Sequence, residues 1–357
     1  MIAHTVTSSA GARERSERSQ KMERGVVLLV VLFFVLLLVS SIATFLRRVA
    51  IDAGVATNRD RALEAEALAR GGVRLGQVLL LEDLRLASSA PSATDSKHSI
   101  WARVAGVNLI DDPNVSLTID VEDAAARINL NGFLDQNGSV VPQGKAFLEQ
   151  LLSNVIDTLP GKAGEKGYDP GDLADNLIDW IDKDQVRQSG GPETDLYQKR
   201  DPPIVPPNRP LLSVDELRLV AGFDGPLVDA LRPYVGVYPL VGGGAINLNT
   251  APSWVLAQIT VGSDVSGYRA IEEDTVKRIL EARDKSLVCG SGNQVSGCTT
   301  TTDLFAGESS FPKPSSGPSS VFVVRAHARV VDVERTVEAV IDRTKPSQPL
   351  RLAWRVD

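Results

Sequence analysis

Hydrophobic and polar positions follow three regimes along this chain. The first is a block of 21 uncharged residues, Val26 to Leu46, after a basic leader ending Lys21-Met22-Glu23-Arg24-Gly25. At about 1.5 Å per helical residue, such a block crosses a hydrocarbon core of roughly 30 Å. In the second regime the apolar positions take a helical period. Val49, Leu63, Ala67, Leu68, Val73, Leu75, Val78, Leu79 and Leu81 are interspersed with Arg59, Asp60, Arg61, Glu64, Glu66, Arg70 and Arg74. This predicts one long helix leaving the membrane block, with an amphipathic outer half that needs a surface to cover. Gly71-Gly72 interrupts it, and at a cost of about 1 kcal/mol per Gly relative to Ala a kink or loosened turn is expected there. Ser88 to Ser99, rich in Ser and containing Pro91, makes a loop.

The third regime has period two. Val115-Ser-Leu-Thr-Ile-Asp-Val predicts a strand, and Ala124 to Leu130 is expected to pair with it after a turn at Glu122-Asp123. Far downstream, Ser320 to Val330 and Arg335 to Asp342 repeat the strand pattern around Asp332-Val333-Glu334, and Trp354 belongs to a last edge strand. Helix, strands, a long helical stretch and further strands define an α+β domain: a helix packed on an antiparallel sheet, with a large all-α insertion.

The insertion contains an internal similarity. Ile128-Asn-Leu-Asn-Gly recurs as Ile246-Asn-Leu-Asn-Thr, where Asn or Thr can cap a following helix, and Ser213 to Glu216 has capping-box spacing. Both blocks resemble helix-hairpin-helix or SAM-like modules, which in other proteins can bind the DNA backbone. A membrane-anchored DNA-binding protein is therefore the alternative reading. It needs basic residues, and between Ile246 and Ile259 there is no Lys or Arg. A net charge of −7 also disfavours a nucleic-acid partner.

Removing about 50 leader and membrane residues leaves roughly 300, enough for two domains with separate cores. The only cysteines, Cys289 and Cys298, share a polar loop and are expected to form a disulfide if the chain is exported to an oxidising compartment, two free thiols being the alternative. His4, His98 and His327 are far apart, and no nucleophile elbow, phosphate-binding loop or zinc signature is present. An enzyme is not expected; a calcium-dependent hydrolase would need a metal-bound water and a cleft.

Three readings compete for the amino-terminal segment. The apolar run is too long for an ordinary secretory signal, although Ser41-Ile42-Ala43 offers a cleavage pattern, and a plain signal anchor is the second reading. In the third, Gly25 marks the boundary at which a prepilin peptidase cuts, leaving Val26 as the mature amino terminus. Arg13, Arg15, Arg18, Lys21 and Arg24 hold the leader in the cytoplasm, while Arg47 and Arg48 weaken that assignment without reversing it. Arg24-Gly25 followed by Val26-Val27-Leu28-Leu29-Val30 resembles a type IV pilin-like signal. Most such proteins carry Glu at the fifth mature position; here it is Val30. A carboxylate in hydrocarbon is costly unless paired, so a subunit without it resembles one that sits first in a fibre.

The acidic stretch Asp172-Leu-Ala-Asp-Asn-Leu-Ile-Asp-Trp-Ile-Asp-Lys-Asp-Gln carries candidate chemistry. Asp172, Asp175 and Asp179 stand at helical spacing and read as a solvated face opposite Leu173, Leu177, Trp180 and Ile181. Glu193 falls twelfth from Asp182, as in an EF-hand, but Arg187 occupies the sixth position where that loop requires Gly. An irregular calcium loop remains open, with Asp184, Asp195 and Asp201 nearby in sequence.

Leu177 to Gln185, then Gly190-Gly191-Pro-Glu-Thr-Asp-Leu-Tyr197, Pro202 to Pro210, and Leu211-Leu-Ser-Val-Asp-Glu-Leu-Arg-Leu-Val-Ala-Gly-Phe resemble, in order, the K-type minor pseudopilins of type II secretion. That resemblance implies a prepilin-type leader (1–25), a transmembrane helix (26–46), a pilin-like α+β domain in two parts (47–130 and 319–357) and the insertion (131–318). It also implies calcium on Asp182, Asp184, Glu193 and Asp195, processing at Gly25-Val26 with methylation of Val26, and a single-pass inner-membrane protein with its bulk in the periplasm. Minor pseudopilins I and J would be its partners at the tip of the pseudopilus.

Overall fold

The computed structural model describes residues 10–87, 94–135, 137–141, 143–160, 167–263, 267–290, 297–315 and 317–357. His4, the 88–93 part of the expected Ser-rich loop and the 291–296 part of the cysteine loop lie outside them. The chain divides into two compact units at Glu64/Ala65. The first is helical and fully exposed along its apolar block, where Val26 to Leu46 show their side chains to the surroundings. Among the described residues this is the one helix long and apolar enough to cross a membrane.

Helix α1 runs from Ala10 to Ala87 and passes through Gly71-Gly72 without a break in its helical pattern. In the second unit its inner face covers an antiparallel sheet of β1 (Val115–Asp123), β9 (Val321–Val330), β10 (Val333–Asp342) and β11 (Leu350–Val356), in that order. The register runs from Val115 opposite Val330 to Asp123 opposite Phe322, and from Val333 opposite Val330 to Asp342 opposite Val321. Alternation decides what meets the helix: Leu117, Ile119, Val121, Phe322, Val324, Ala326, Val337, Ala339 and Ile341 are buried with Ala69, Val73 and Leu80 of α1.

The glycines in this helix serve close approach rather than a kink. A Cβ at Gly72 would lie 2.8 Å from the Ala326 Cβ, and one at Gly76 would lie 2.6 Å from Val324 Cγ1, whereas Gly71 faces open space. Two glycines one turn apart therefore let the backbone settle onto β9.

The segment 124–130 departs from the sequence expectation. A three-residue 3-10 turn, Ala124–Ala126, redirects the chain, and β2 (Ile128–Asn129) pairs in parallel with β3 (Val235–Gly236) instead of returning along β1. The Asp123 carboxylate accepts the Ala125 N–H and so caps this turn.

Between β1 and β9 lies a second, separate core built mainly by helices α2 (Gly144–Asp157), α3 (Pro170–Ile181), α4 (Thr194–Tyr197), α5 (Gly225–Leu231), α6 (Ser253–Leu256), α7 (Glu273–Lys285) and α8 (Thr301–Leu304). Short strands supplement them: β4 (Thr260–Ser263) between β5 (Gly267–Ala270) and β8 (Ser309–Phe311), and β6 (Val288–Cys289) beside β7 (Thr299–Thr300). Cys289 and Cys298 form a disulfide next to that last pair.

The repeated Ile-Asn-Leu-Asn motif performs the same task twice. Asn131 accepts the Leu211 N–H at 2.8 Å and donates to the Leu211 carbonyl at 2.9 Å; Asn249 does likewise with Val288, at 2.8 and 2.9 Å. Each side-chain amide imitates a strand neighbour and holds a distant loop. Asn129 and Asn247 accept the N–H two residues on, from Asn131 and Asn249. Ser213 and Glu216 do not form the expected capping box. Ser213 accepts the Asp215 N–H at a 3-10 turn (Val214–Leu219), while Glu216 instead accepts from Leu212 N–H and Trp180 Nε1.

A buried polar knot joins the sheet to the insertion. Arg343, 2% exposed, donates from Nη2 to both oxygens of Asp95 at 2.6 and 2.7 Å, and also reaches the Leu80 and Ser319 carbonyls. Asp95 further accepts from Trp101 Nε1 and the Ser319 N–H. Asp123 accepts from Ser319 Oγ, Asn247 Nδ2 and Thr250 Oγ1 at 2.7 to 2.8 Å. Burial pushes the Asp123 carboxyl up, and these donors oppose that rise.

Two substitutions test this account. Arg343→Ala leaves Asp95 as an uncompensated buried charge, and urea denaturation should show a loss of about 3 to 5 kcal/mol. Gly76→Ala should cost about 1 to 3 kcal/mol by overpacking, while Gly71→Ala in the same helix should be neutral or stabilising by up to about 1 kcal/mol.

Candidate metal centre

The acidic stretch becomes a site through the end of α3. Asp169 caps this helix by accepting the Gly171 and Asp172 N–H groups, and Pro170 fits its first turn. Leu173, Leu177, Trp180 and Ile181 enter the core as expected. The carboxylates do not form one solvated face: Asp172 is exposed, Asp175 is half-buried and bonded to Lys145, and Asp179 is 2% exposed.

The loop after α3 causes this change. Gly190 and Gly191 both take φ +87°, a conformation that favours glycine, and the loop returns on itself through Arg187 N–H to Gly191 O and Glu193 N–H to Gln185 O. The return brings Gln188 over the helix end, where its N–H donates to Asp179 at 2.8 Å. It also places Glu193 beside Asp182, the residue that closes α3. Tyr197 of α4 then packs on Trp180, with ring centroids 5.3 Å apart, and fixes the second wall.

Asp179, Asp182 and Glu193 each present an oxygen to the others within 4.8 Å, and all three are at most 3% exposed. Asn208 donates to Glu193 Oε2 at 2.8 Å and to the Asp184 carbonyl. Asp182 Oδ1 and Glu193 Oε1 are buried with no hydrogen-bond partner. Such orphaned oxygens are costly unless something positive meets them. Burial raises the Asp182 carboxyl to about 7, helped by the charges of Asp184, Glu193 and Asp179. Asp179 and Glu193 are also raised, chiefly by burial.

Of the four residues expected to hold calcium, the structure brings Asp182 and Glu193 together and adds Asp179. Asp184 and Asp195 are exposed and lie outside this group, and the Asp184 carboxylate accepts the Val186 N–H at 2.7 Å. Periodicity hid Asp179, because the cover over it comes from a loop nine residues away. A pointer was present in Gly190-Gly191, which marks a reversal that returns Glu193 to the helix end.

Gly25 and Val26 lie within α1. Among the described residues no other cluster of three metal-ligating side chains occurs. His327 is a surface residue of β9 bonded to Thr336.

A membrane-length helix that continues into a sheet domain, with a separately cored insertion between the first two strands of that sheet, defines the class: a membrane-anchored pilin-like protein with an inserted head. Known proteins sharpen it. Residues 126–240 match the family model described as type II secretion system (T2SS), protein K. Type II secretion system protein K of Pseudomonas aeruginosa is 30% identical over 237 residues, covering 66% of this chain and 67% of that protein. The Klebsiella pneumoniae protein K is 31% identical over 214 residues, covering 60% of this chain and 62% of its own length. The Aeromonas hydrophila protein K is 28% identical over 279 residues, covering 74% and 77%. The chain belongs to the type II secretion system protein K family. Its fold matches a chain of the GspK-GspI-GspJ complex from enterotoxigenic Escherichia coli with a TM-score of 0.56 at 21% identity, covering 86% of this chain and 99% of that one.

The site predicts a signed pH dependence. With a chelator present, Asp182 is protonated in the folded state up to about pH 7, whereas in the unfolded chain it ionises near pH 3.9. Raising the pH across that window therefore destabilises the fold, by up to about 1.4 kcal/mol per pH unit from this group. Relative to Asp182→Asn, the wild-type chain should lose melting temperature between pH 5 and 7 in chelator. A cation held by the ionised carboxylates would cancel the loss, so the same comparison in excess calcium tests whether these residues hold one.

Proposed function

We propose that this chain is a non-enzymatic minor pseudopilin of the type II secretion system, at the tip of the periplasmic pseudopilus, where it supports pseudopilus assembly and protein export across the outer membrane. The observation that carries this reading is the pairing of protein K family membership with a helix whose fifth residue after Gly25 is Val30. A tip subunit has no neighbour above it whose amino terminus would need a buried carboxylate. On this reading the leader stays cytoplasmic, Val26–Leu46 spans the inner membrane and the remainder is periplasmic, an oxidising compartment in which the Cys289–Cys298 disulfide persists. The related Escherichia coli GspK is found in one complex with GspI and GspJ; the corresponding minor pseudopilins I and J are the partners we assign to this chain.

Asp179, Asp182 and Glu193 are the residues that would hold calcium. The donor set is all oxygen, which suits a hard cation, and the ion would supply the positive charge their buried oxygens lack. Its role would be structural. It would tie the loop of residues 185–193 to the end of α3 and leave the carboxylates ionised.

Two measurements test the reading. Gly25→Ala, coexpressed with a prepilin peptidase, should remain an uncut precursor, while the wild type yields a mature chain beginning at Val26 by mass spectrometry. Equal cleavage of both would refute the processing assignment. Copurification of the mature chain with minor pseudopilins I and J tests the partners.

A further inference from the structure

The four-stranded sheet has two edges, and they are treated differently. At the β1 edge the preceding chain folds back and caps the strand. Asn108 Oδ1 accepts the Leu117 N–H at 2.9 Å, and the Leu109 N–H donates to the Leu117 carbonyl at 2.8 Å. A 3-10 turn (Ile100–Val104) also packs against β1. Blunting of this kind is how soluble sheets avoid pairing with other chains.

Among the described residues the β11 edge has no such cover. Its single strand neighbour is β10, with Val356, Arg355, Trp354 and Ala353 opposite Val337, Glu338, Ala339 and Val340. Thr336 and Asp357 exchange both backbone hydrogen bonds, at 2.9 and 3.1 Å. By antiparallel alternation Arg355 and Ala353 also face β10, so the N–H and C=O of Trp354 and Val356 point outward. No described residue bonds to them. From Leu350 to Val356 there is no Pro, Lys, Asp or Glu to discourage pairing.

The side chains along this edge are equally open. Trp354 and Val356 are 37% and 39% exposed. The Arg351 guanidinium stands 5.1 Å from the Trp354 ring, with that of Arg70 of α1 at 6.0 Å. Arg70 is engaged by Glu66 and Arg355 by Asp357, so Arg351, beside the Trp354 ring, is the cation this edge leaves without an ion pair among the described residues.

We propose that β11 is a docking edge that takes up an extended segment of a partner pseudopilus subunit as a fifth strand, with a carboxylate of that segment meeting Arg351. Backbone pairing to Trp354 and Val356 would supply affinity, and the carboxylate would select the segment. The inference rests on the assembly role given under Proposed function.

Amide hydrogen exchange on the full mature chain in detergent, alone and mixed with purified minor pseudopilins I and J, tests it. In the complex the Trp354 and Val356 amides should exchange at least tenfold more slowly, with the Arg355 amide little changed. Val356→Pro removes one outward N–H and leaves the pairing of β11 with β10 in place; it should weaken the complex at least tenfold at unchanged melting temperature. If the complex forms while both amides exchange as in the free chain, the inference is wrong and the assembly role stands. Failure of any complex to form overturns that role and this inference together. Exchange on the unmodified chain decides the matter even if the Pro variant does not fold.

Discussion

The pairing of Arg343 with Asp95 is the contact on which the second unit depends. It is almost fully removed from water, and a buried ion pair holds only when its remaining donors and acceptors are met. Here they are: Arg343 reaches Leu80 of α1 and Ser319 ahead of β9, while Asp95 takes Trp101 and Ser319. The guanidinium also lies 4.4 Å from the Phe322 ring, which roofs the core between helix and sheet. Asp123, through Ser319, Asn247 and Thr250, couples that arrangement to the second core. The sheet and the insertion have separate hydrophobic interiors, and their junction is specified by directional polar bonds. Apolar contact alone would tolerate sliding; this network fixes one orientation.

Periodicity revealed much of the fold. The membrane block follows from its uncharged length, and the long helix, β1 and the late hairpin follow from local pattern, since the outer half of the helix and each of these strands bury one face in a single core. The failures share a cause. Ala124 to Leu130 looks like a returning strand, yet Asp123 turns the chain and β3, over one hundred residues later, claims Ile128. Gly71-Gly72 looks like a weak point, yet Gly72 and Gly76 are contact points for Ala326 and Val324. Sequence registers the absence of a side chain but not what occupies the space.

The acidic site was half legible for the same reason. Asp182 and Glu193 stand out by their spacing. Asp179 belongs with them only because two glycines reverse the loop and bring Gln188 over the helix end. The paired asparagines show the opposite case. The repeated Ile-Asn-Leu-Asn motif is visible in the sequence, but its purpose appears only with its partners, Leu211 and Val288, which have no motif of their own.

The placement of the insertion also orders events during folding. Strand β1 cannot find its neighbour until Phe322 to Val330 has been made, about two hundred residues later. Closing so long a loop is slow when it remains unstructured. The insertion has its own core and draws its ends together through Asp123, Asn247 and Ser319, so its collapse would shorten the effective gap before the sheet zips. A lesion deep in the insertion would then surface as a sheet that fails to form. The head acts as the closing device for the domain that carries it.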